Sequence, residues 1–546
     1  MKKHIRIFSC LAVTAFLLGM PGCTKLDENL YSVISADKFY NNRQEVMAAV
    51  LRPFTHANAW ATPIDRHGYW RLNELTADQL AWPQKGRHGF DGGQWVRLHN
   101  HTWTVTDNSI TEPWSLIWQG IGFCNNTILD LGNVDFTKIG MTEADKASIL
   151  AETKVLRAWH YLKLIDLYGN IPIITTVGEP LNPPTASRAE VFAFIEKEIK
   201  DNMEQLKPLS QSMAGRVSKA GAYAMLAELY LNAEVWSGKA RWDDCIAICD
   251  KIIAGDGGSL SGSAPGLEDD IYAPFNNVNH RSKENLFQIA YDFKVGGFRF
   301  DWNGLFWHYR QRQIQDADRD GNNGVVVTPT GFDMFKENDL RKQRWFLFGL
   351  QKKHPNQRSN VADSIVLGTE EYNGKPLVFV NTIRRNSEGE TGEGGMTRGE
   401  ENSGARFAKY QPGVQNDANY WGNDYVLYRL TEIYFNKAEA LMRKNSGVAT
   451  QQVVDLINTS RQRRFSAADW PNERYTTATL TMDEFLAERG REFVFEGKRR
   501  PDMIRFGKFT TATWWDHSPS SETKNLFPIP FSQLAINPNL KQNSGY

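Results

Sequence analysis

The sequence predicts a mainly α-helical protein, in which paired amphipathic helices pack against a loop-rich region holding a few short strands. Three observations carry this. First, Lys219 to Ile253 reads as two antiparallel helices: Ala222, Met225, Leu226, Leu229 and Tyr230 recur on one face, and Trp242, Cys245, Ile246, Cys249 and Ile252 on another, around a Trp236 to Lys239 turn. Second, a small residue three positions before a tyrosine recurs at Ala158/Tyr161, Ala227/Tyr230 and Thr431/Tyr434. The first two steps lie 69 positions apart, about two tetratricopeptide-type repeats of ~34 residues. Third, two aromatic stretches lack any helical period.

In chain order, Ser35 is a plausible N-cap for a helix to Trp60, which buries Phe39, Val46, Val50 and Phe54 and which Pro53 kinks or shortens. Trp60 to Trp103 is the first aromatic island, with five tryptophans on a stretch punctuated by glycine and proline. Ile110 to Leu131 returns to helix. Glu143 to Gly169 is a long amphipathic helix stopped by Gly169. Ser187 caps Ala189 through Leu206. Gly255 to Asn279 is loop, and Tyr291 to Tyr309 is the second aromatic island. Residues 355 to 424 read as loops and small hairpins, including a strand-like run Leu377 to Val380. Helices resume at Tyr425 to Arg443, Ala449 to Phe465 and Met482 to Phe506, and the chain ends in loop.

The 63 basic and 63 acidic residues of this 546-residue chain cancel, which argues against non-specific nucleic-acid binding. Lys2, Lys3 and Arg6 precede an apolar run, Ile7 to Met20, of signal-peptide length. It ends in Met-Pro-Gly-Cys at Cys23, which resembles a bacterial lipoprotein box with Cys23 as the lipidated residue, although Met20 and Pro21 depart from the usual Leu-Ala/Ser. The other reading is ordinary secretory cleavage near Gly22. The TKLDENL that follows resembles the surface-export signal of Bacteroidetes lipoproteins. Cys124, Cys245 and Cys249 are an odd set and read as buried small hydrophobes, not as a disulfide framework or a metal site.

Five stretches in order, AETKVLRAWHYLKLIDLYGNIPII, GRVSKAGAYAMLAELYL, YRLTEIYFNKAEALM, LAERGREFVFEGKRRPDMIRFGKF and PIPFSQLAINPNLKQNSGY, resemble the SusD/RagB family of Bacteroidetes outer-membrane proteins. DGGQWVRLHNHTW and WSLIWQGIGFCNN extend the resemblance over nearly the whole mature chain. It implies about four tetratricopeptide-like helix pairs, a signal peptide at 1–22 and a single domain at 23–546. Within that domain the N-terminal part runs to about 215 and the helical-repeat and C-terminal part from about 216. It also implies a cell-surface, outer-membrane lipoprotein that captures a polysaccharide or oligosaccharide and delivers it to a SusC-like, TonB-dependent transporter.

Sugar binding needs flat apolar faces with planar polar groups at their rim, and both aromatic islands offer that mix. Trp82 stands near Gln84, Arg87, Asp91 and Gln94; Trp302 and Trp307 stand near Asp301, Asn303 and Arg310. We expect Trp82 and Trp302 or Trp307 as stacking platforms, with Asp91 at the rim and Tyr69, Trp70 and Tyr309 as lesser candidates. Trp95 and Trp103 are expected to be structural, and Trp114, Trp118, Trp159 and Trp242 to face the core. Neither island has the dense Lys/Arg set that an acidic glycan would call for, so a neutral glycan is preferred. Asp316, Asp318 and Asp320, followed by Gly321, start like a calcium loop, but position 12 is Val327; a solvated acidic turn is the expectation and calcium the alternative. No cofactor is required.

An enzyme is not expected. The chain lacks G-x-S-x-G, H-E-x-x-H and the phosphate loop, and no spacing singles out a carboxylate pair for glycoside hydrolysis. Glu488, Glu492 and Glu496, interleaved with Arg and Lys, read as surface and buried ion pairs. His99 and His101 read as strand residues in local hydrogen bonds. The alternatives to glycan capture are a RagB-type peptide receptor, a structural helical scaffold and a glycoside hydrolase.

Overall fold

The computed structural model describes residues 40–63, 67–178, 181–292, 302–315, 319–355, 364–385, 393–411, 413 and 422–546. Cys23 and Ser35 lie outside them. Eight of the helices form four consecutive pairs: α1 (Arg43–Ala61) with α2 (Asn108–Gly132), α3 (Glu143–Tyr168) with α4 (Arg188–Asn202), α5 (Lys219–Leu231) with α6 (Trp242–Ala254), and α7 (Leu430–Lys444) with α8 (Gln451–Arg461).

Local chemistry sets the ends. Asn42 caps α1 through its Oδ1, which accepts from Glu45 N, and α1 runs on through Pro53 without a break. Thr142 with Asp145 and Ser187 with Glu190 are reciprocal capping boxes at the starts of α3 and α4. Gly169 ends α3 at φ +71°, where a Cβ would stand 2.7 Å from the Leu526 side chain. At the Ala227/Tyr230 step the short residue does let a partner approach: Cys245 Sγ of α6 lies 3.7 Å from Ala227 O, while Tyr230 Oη donates to Glu196 Oε1 of α4 at 2.9 Å. Buried ion pairs tie helices both from one pair to the next and within a pair. Lys163 Nζ of α3 meets both oxygens of Glu228 of α5 at 2.7 and 2.8 Å, and Arg157 meets Glu198 of α4 at 2.7 Å.

Two helical expectations are corrected. Tyr425–Arg429 is a strand, not the first turn of a helix; it pairs antiparallel with Asn285–Ile289, and α7 starts only at Leu430. Its Tyr, Val and Tyr suit a buried pleat as well as a helix face. The expected helix Met482 to Phe506 is two, α9 (Met482–Phe493) and α10 (Arg499–Arg505). Between them Phe495 and Gly497 both take φ +71°, and the break is held by the Tyr69–Glu74 helix: Trp70 Nε1 donates to Phe495 O and Glu74 Oε1 accepts from Gly497 N. His99 and His101 sit at a helix end and in a turn, not in a strand. Their bonds reach the distant Trp515 O and Ser520 Oγ, so the local-bond expectation is corrected as well.

The loop-rich half carries β1 (Leu80–Ala81), β2 (Asn285–Ile289), β3 (Val326–Val327), β4 (Phe346–Leu347), β5 (Gly349–Leu350), β6 (Val378–Phe379), β7 (Arg406–Phe407) and β8 (Tyr425–Arg429), in four antiparallel pairs: β1–β3, β2–β8, β4–β7 and β5–β6. A bridge from Val327 to Ala405 brings the start of β7 beside β3.

Beneath these strands the three glutamates of the 488–496 run are buried. Glu492 accepts from Arg429 (3.0 Å), Arg464 (2.7 and 3.1 Å) and Arg341 (3.0 Å). Glu488 pairs with Arg341, Arg461 and Arg491, and Glu496 with Arg429 and Lys409. Glu284, on the other side of Arg429, also takes Arg463. The expected surface pairs are therefore all interior.

Two outcomes follow from this lattice. Glu492→Gln leaves Arg429, Arg464 and Arg341 short of a buried partner, and urea unfolding should show a loss of roughly 3–5 kcal/mol. The second concerns acid. Burial pushes the Glu284 and Glu439 carboxyls up, but the arginines around them outweigh it and hold both at about 2. A folded pKa below the unfolded value of ~4.3 gives stability that is present above that value and lost as pH falls through the folded one. Thermal unfolding should therefore show Tm dropping between about pH 4.5 and 2.

Candidate functional site

Three loops leave the β1–β3–Ala405 patch at one end and enclose two adjoining clefts. Trp82 follows β1 directly, Asn323 lies just before β3, and Glu400 and Glu401 precede Ala405. The smaller cleft, about 290 Å³, is lined by Trp82, Asp91, Tyr309 and Asn322 among others. The larger, about 540 Å³, is lined by Glu371, Tyr372, Lys375 and Glu400 among others. Lys85, His88, Tyr309 and Asn323 belong to both, so the two form one open run from Trp82 past Tyr309 to Tyr372.

Trp82 is half-buried. One ring face stacks on Trp95, with centroids 4.5 Å apart and planes 4° from parallel. Trp95 is fixed by its Nε1, which donates to Asp91 Oδ2 at 2.6 Å, and the Arg71 guanidinium lies 5.3 and 5.2 Å from the two ring centres. A Cβ at Gly324 would meet the Trp82 ring edge at 2.9 Å, so the backbone before β3 presses directly on the tryptophan and glycine is required there.

Asn323 is the keystone of the floor. It is buried at φ +53°, a region that disfavours side chains, and every polar group is engaged. Its N donates to Trp307 O, its Nδ2 to Glu401 O, its Oδ1 accepts from Arg406 at 3.1 and 2.7 Å, and its carbonyl accepts from Lys85 Nζ at 2.6 Å. Asp91 (φ +44°) and Asn373 (φ +56°) also line the clefts, so three of the seven non-glycine residues with positive φ among those described gather here. Such strain persists where the surroundings over-determine it, typically at functional sites.

The titratable groups are ordered. Burial lowers the His308 imidazole to about 4 against the opposing pull of Glu401, whose Oε1 lies 3.1 Å from Nε2. Glu401 also accepts from Thr369 N and Thr369 Oγ1. Burial, with Glu371 and Glu401 adding to it, pushes the Tyr309 phenol up to about 12, which keeps it a neutral donor.

The expected site residues divide. Trp82, Asp91 and Tyr309 line the clefts. Trp307 and Trp70 are fully buried and Tyr69 is 7% exposed, so their expected role in stacking is corrected. Trp307 lies under Gly321, where a Cβ would be 2.2 Å from its carbonyl, and Trp70 packs edge-on against Phe306. The side chain of Trp302, like Asp316 and Asp318, lies outside the described residues. Asp320 is exposed, and its Oδ1 accepts from Arg312 N at 3.0 Å; among the described residues no group of three or more His, Cys, Asp or Glu side chains is placed to hold a metal. Trp95 and Trp103 are buried, as are Trp114 and Trp159. Lys85, His88, Asn323, Glu371, Tyr372, Lys375 and Glu400 were missed; Tyr372 was the one legible hint, an aromatic beside Asn-Gly in an otherwise polar stretch.

A second, apolar groove of about 900 Å³ lies between α2 and the C-terminal segment, lined by Trp114, Trp118, Val177, Leu181, Ile536 and amides such as Asn126 and Gln533. Among the described residues its lining carries no charged side chain.

Residues 283–546 match the family described as the SusD family, and residues 31–231 the one described as starch-binding and associating with the outer membrane. The chain is 26% identical over 516 residues to the starch-binding protein SusD of Bacteroides thetaiotaomicron, covering 88% of this chain and 86% of that one. In structure it is similar to a laminarin-binding SusD-like protein, with a TM-score of 0.67 at 20% identity over 93% of this chain and 100% of the other. It is likewise similar to surface glycan-binding protein A from Bacteroides thetaiotaomicron, solved in complex with laminarihexaose, with a TM-score of 0.67 at 19% identity over 92% and 99%. With its four helix pairs, its strand-poor variable half and two family matches that together span most of its length, the chain belongs to the SusD/RagB family.

Proposed function

We propose that this protein captures a neutral oligosaccharide or polysaccharide in the Trp82–Tyr309–Tyr372 clefts and hands it to a SusC-like, TonB-dependent transporter. It is an outer-membrane, surface-exposed lipoprotein, as its family is; Cys23 is our assignment for the lipidated residue. The observation that carries the reading is the Trp82 ring, backed by Trp95 and opening on a cleft bordered by two tyrosines and by amide, carboxylate and ammonium groups. Two aromatic steps beyond Trp82 provide room for more than one sugar ring.

The protein binds and does not hydrolyse. A glycosidase needs two available carboxyl groups across the scissile bond. Here Glu401 is held by Thr369 and His308, and Glu371 pairs with Arg87 at 2.7 Å. That leaves Glu400 alone at the larger cleft and Asp91 at the smaller, where one oxygen of Asp91 is tied to Trp95. A RagB-type peptide receptor is the second reading, favoured by the apolar groove beside α2.

Affinity electrophoresis through gels containing neutral and acidic polysaccharides tests the first reading. Retardation by a neutral glycan is expected, abolished in Trp82→Ala, weakened in Tyr309→Ala and Tyr372→Ala, and unchanged in Trp118→Ala. Retardation lost only in Trp118→Ala would move the site to the groove.

We read residues 316–320 as a solvated acidic turn. EDTA should then leave Tm within about 1 °C, because a bound ion stabilises the folded state by mass action and its removal lowers Tm. A larger fall, reversed by added calcium and absent in Asp320→Asn, would contradict that reading.

A further inference from the structure

The floor of the clefts contains a buried cation that neither stacking nor family resemblance accounts for. Lys85 is 4% exposed, yet it lines both clefts. The turn that carries it is fixed on both sides: Lys85 N donates to His88 O, His88 N to Lys85 O, and Gly86 N to Gly399 O. Its Nζ donates to Asn323 O and Gly324 O, both at 2.6 Å. An ammonium has three N–H donors, and among the described residues Lys85 makes no ion pair and its third donor has no partner. A buried ammonium in that condition is costly unless something completes its shell. The charged group next to it is Arg406, another buried cation, whose donors are spent on Asn323 Oδ1 and on the carbonyls of Glu401, Ser403 and Gly404.

We propose that Lys85 is a ligand-binding residue that donates its third N–H to a sugar hydroxyl at the junction of the two clefts, and that binding is linked to the charge on Lys85. This rests on the glycan-binding reading above. A hydroxyl is the acceptor that fits. It accepts a hydrogen bond from the Lys85 ammonium and donates its own O–H to Glu400, which lines the larger cleft without a side-chain partner among the described residues. A carboxylate or sulfate would satisfy Lys85 but confront Glu400; an amino sugar would do the reverse. The same pair of groups thus selects neutral rings.

The groups facing Lys85 are His88 and Asp91 on its own loop, Tyr309, Glu371 and Lys375, and Glu400 and Glu401, with Arg406 and the buried His308 behind. Burial, with Arg406 adding to it, lowers the Lys85 ammonium well below its usual range. A ligand oxygen opposes that and favours the charged form, so binding takes up a proton. Affinity is full at lower pH and falls as pH rises through the pKa of the free protein.

The experiment is isothermal titration calorimetry of the protein with laminari-, cello-, malto-, xylo- and mannohexaose, at pH steps from about 5 to about 10, in two buffers of different ionisation enthalpy. The expected result is a hexasaccharide that binds with proton uptake within that range, binds at least about tenfold more weakly to Lys85→Met, and shows no uptake with that variant. His88→Gln should keep the uptake. Lys85→Met also frees two carbonyls, so weaker binding in the variant without proton uptake in the wild type would mark Lys85 as structural and overturn the proposal. Equal affinity in the variant would overturn it too, while leaving glycan binding intact. No binding of any hexasaccharide by the wild type would overturn the glycan reading and this one with it.

Discussion

The structure depends on the arginine–glutamate lattice centred on Glu492. One carboxylate takes arginines from three places distant in sequence, Arg341, Arg429 and Arg464, and its neighbours Glu488 and Glu496 add Arg461, Arg491 and Lys409. In the interior such a set is stable only when its donors and acceptors are closely matched, and of these cations only Arg464 keeps a buried nitrogen, Nη1, without a hydrogen bond among the described residues. Matching forces β8, α9, the end of α8 and the loop-rich segment around Arg341 into one arrangement. Its value is specificity of arrangement more than net stability, since apolar residues of equal volume would pack there too.

From that lattice the order passes to the clefts through few contacts. Arg499 of α10 grips Asp78 with two bonds of 2.7 Å, Gln79 Nε2 donates to Gly490 O, and Thr328 Oγ1 donates to Asp78 O. These fix β1 against β3, and the residues just outside that pair are Trp82 and Asn323. The site is therefore set on a rigid base although its walls are loops, the usual division between scaffold and recognition surface. The same base explains why tryptophans of the islands are buried: Trp70 and Trp307, together with Trp345 from outside the islands, fill the space between lattice and loops and leave Trp82 at the edge.

The helix pairs were legible because their signal is local. Periodic apolar faces, the Ser187 cap and the Gly169 stop lie within a few residues of what they control. Tyr425–Arg429 and the 494–498 break were not, because a partner strand at 285–289 and the Tyr69–Glu74 helix decide them from far away in sequence. The site divides in the same way. Trp82, Asp91 and Tyr309 sit inside aromatic stretches that composition marks out. Trp307 belongs to an equally aromatic stretch and is buried, because exposure is a property of the fold and not of the residue. Asn323, Tyr372 and Glu400 come from separate polar segments that do not announce one another, and Lys85, although inside the first aromatic island, is a cation that an aromatic composition does not single out.

The account's central claim is that recognition happens at the clefts built on β1, β3 and the start of β7. Hydrogen–deuterium exchange in the presence of a retained neutral glycan tests it without altering the protein. The account predicts added protection at residues 82–91, 309–315, 319–324, 371–375 and 399–403, with the four helix pairs unchanged. Protection confined to residues 114–126 and 533–540, along the apolar groove, would contradict it.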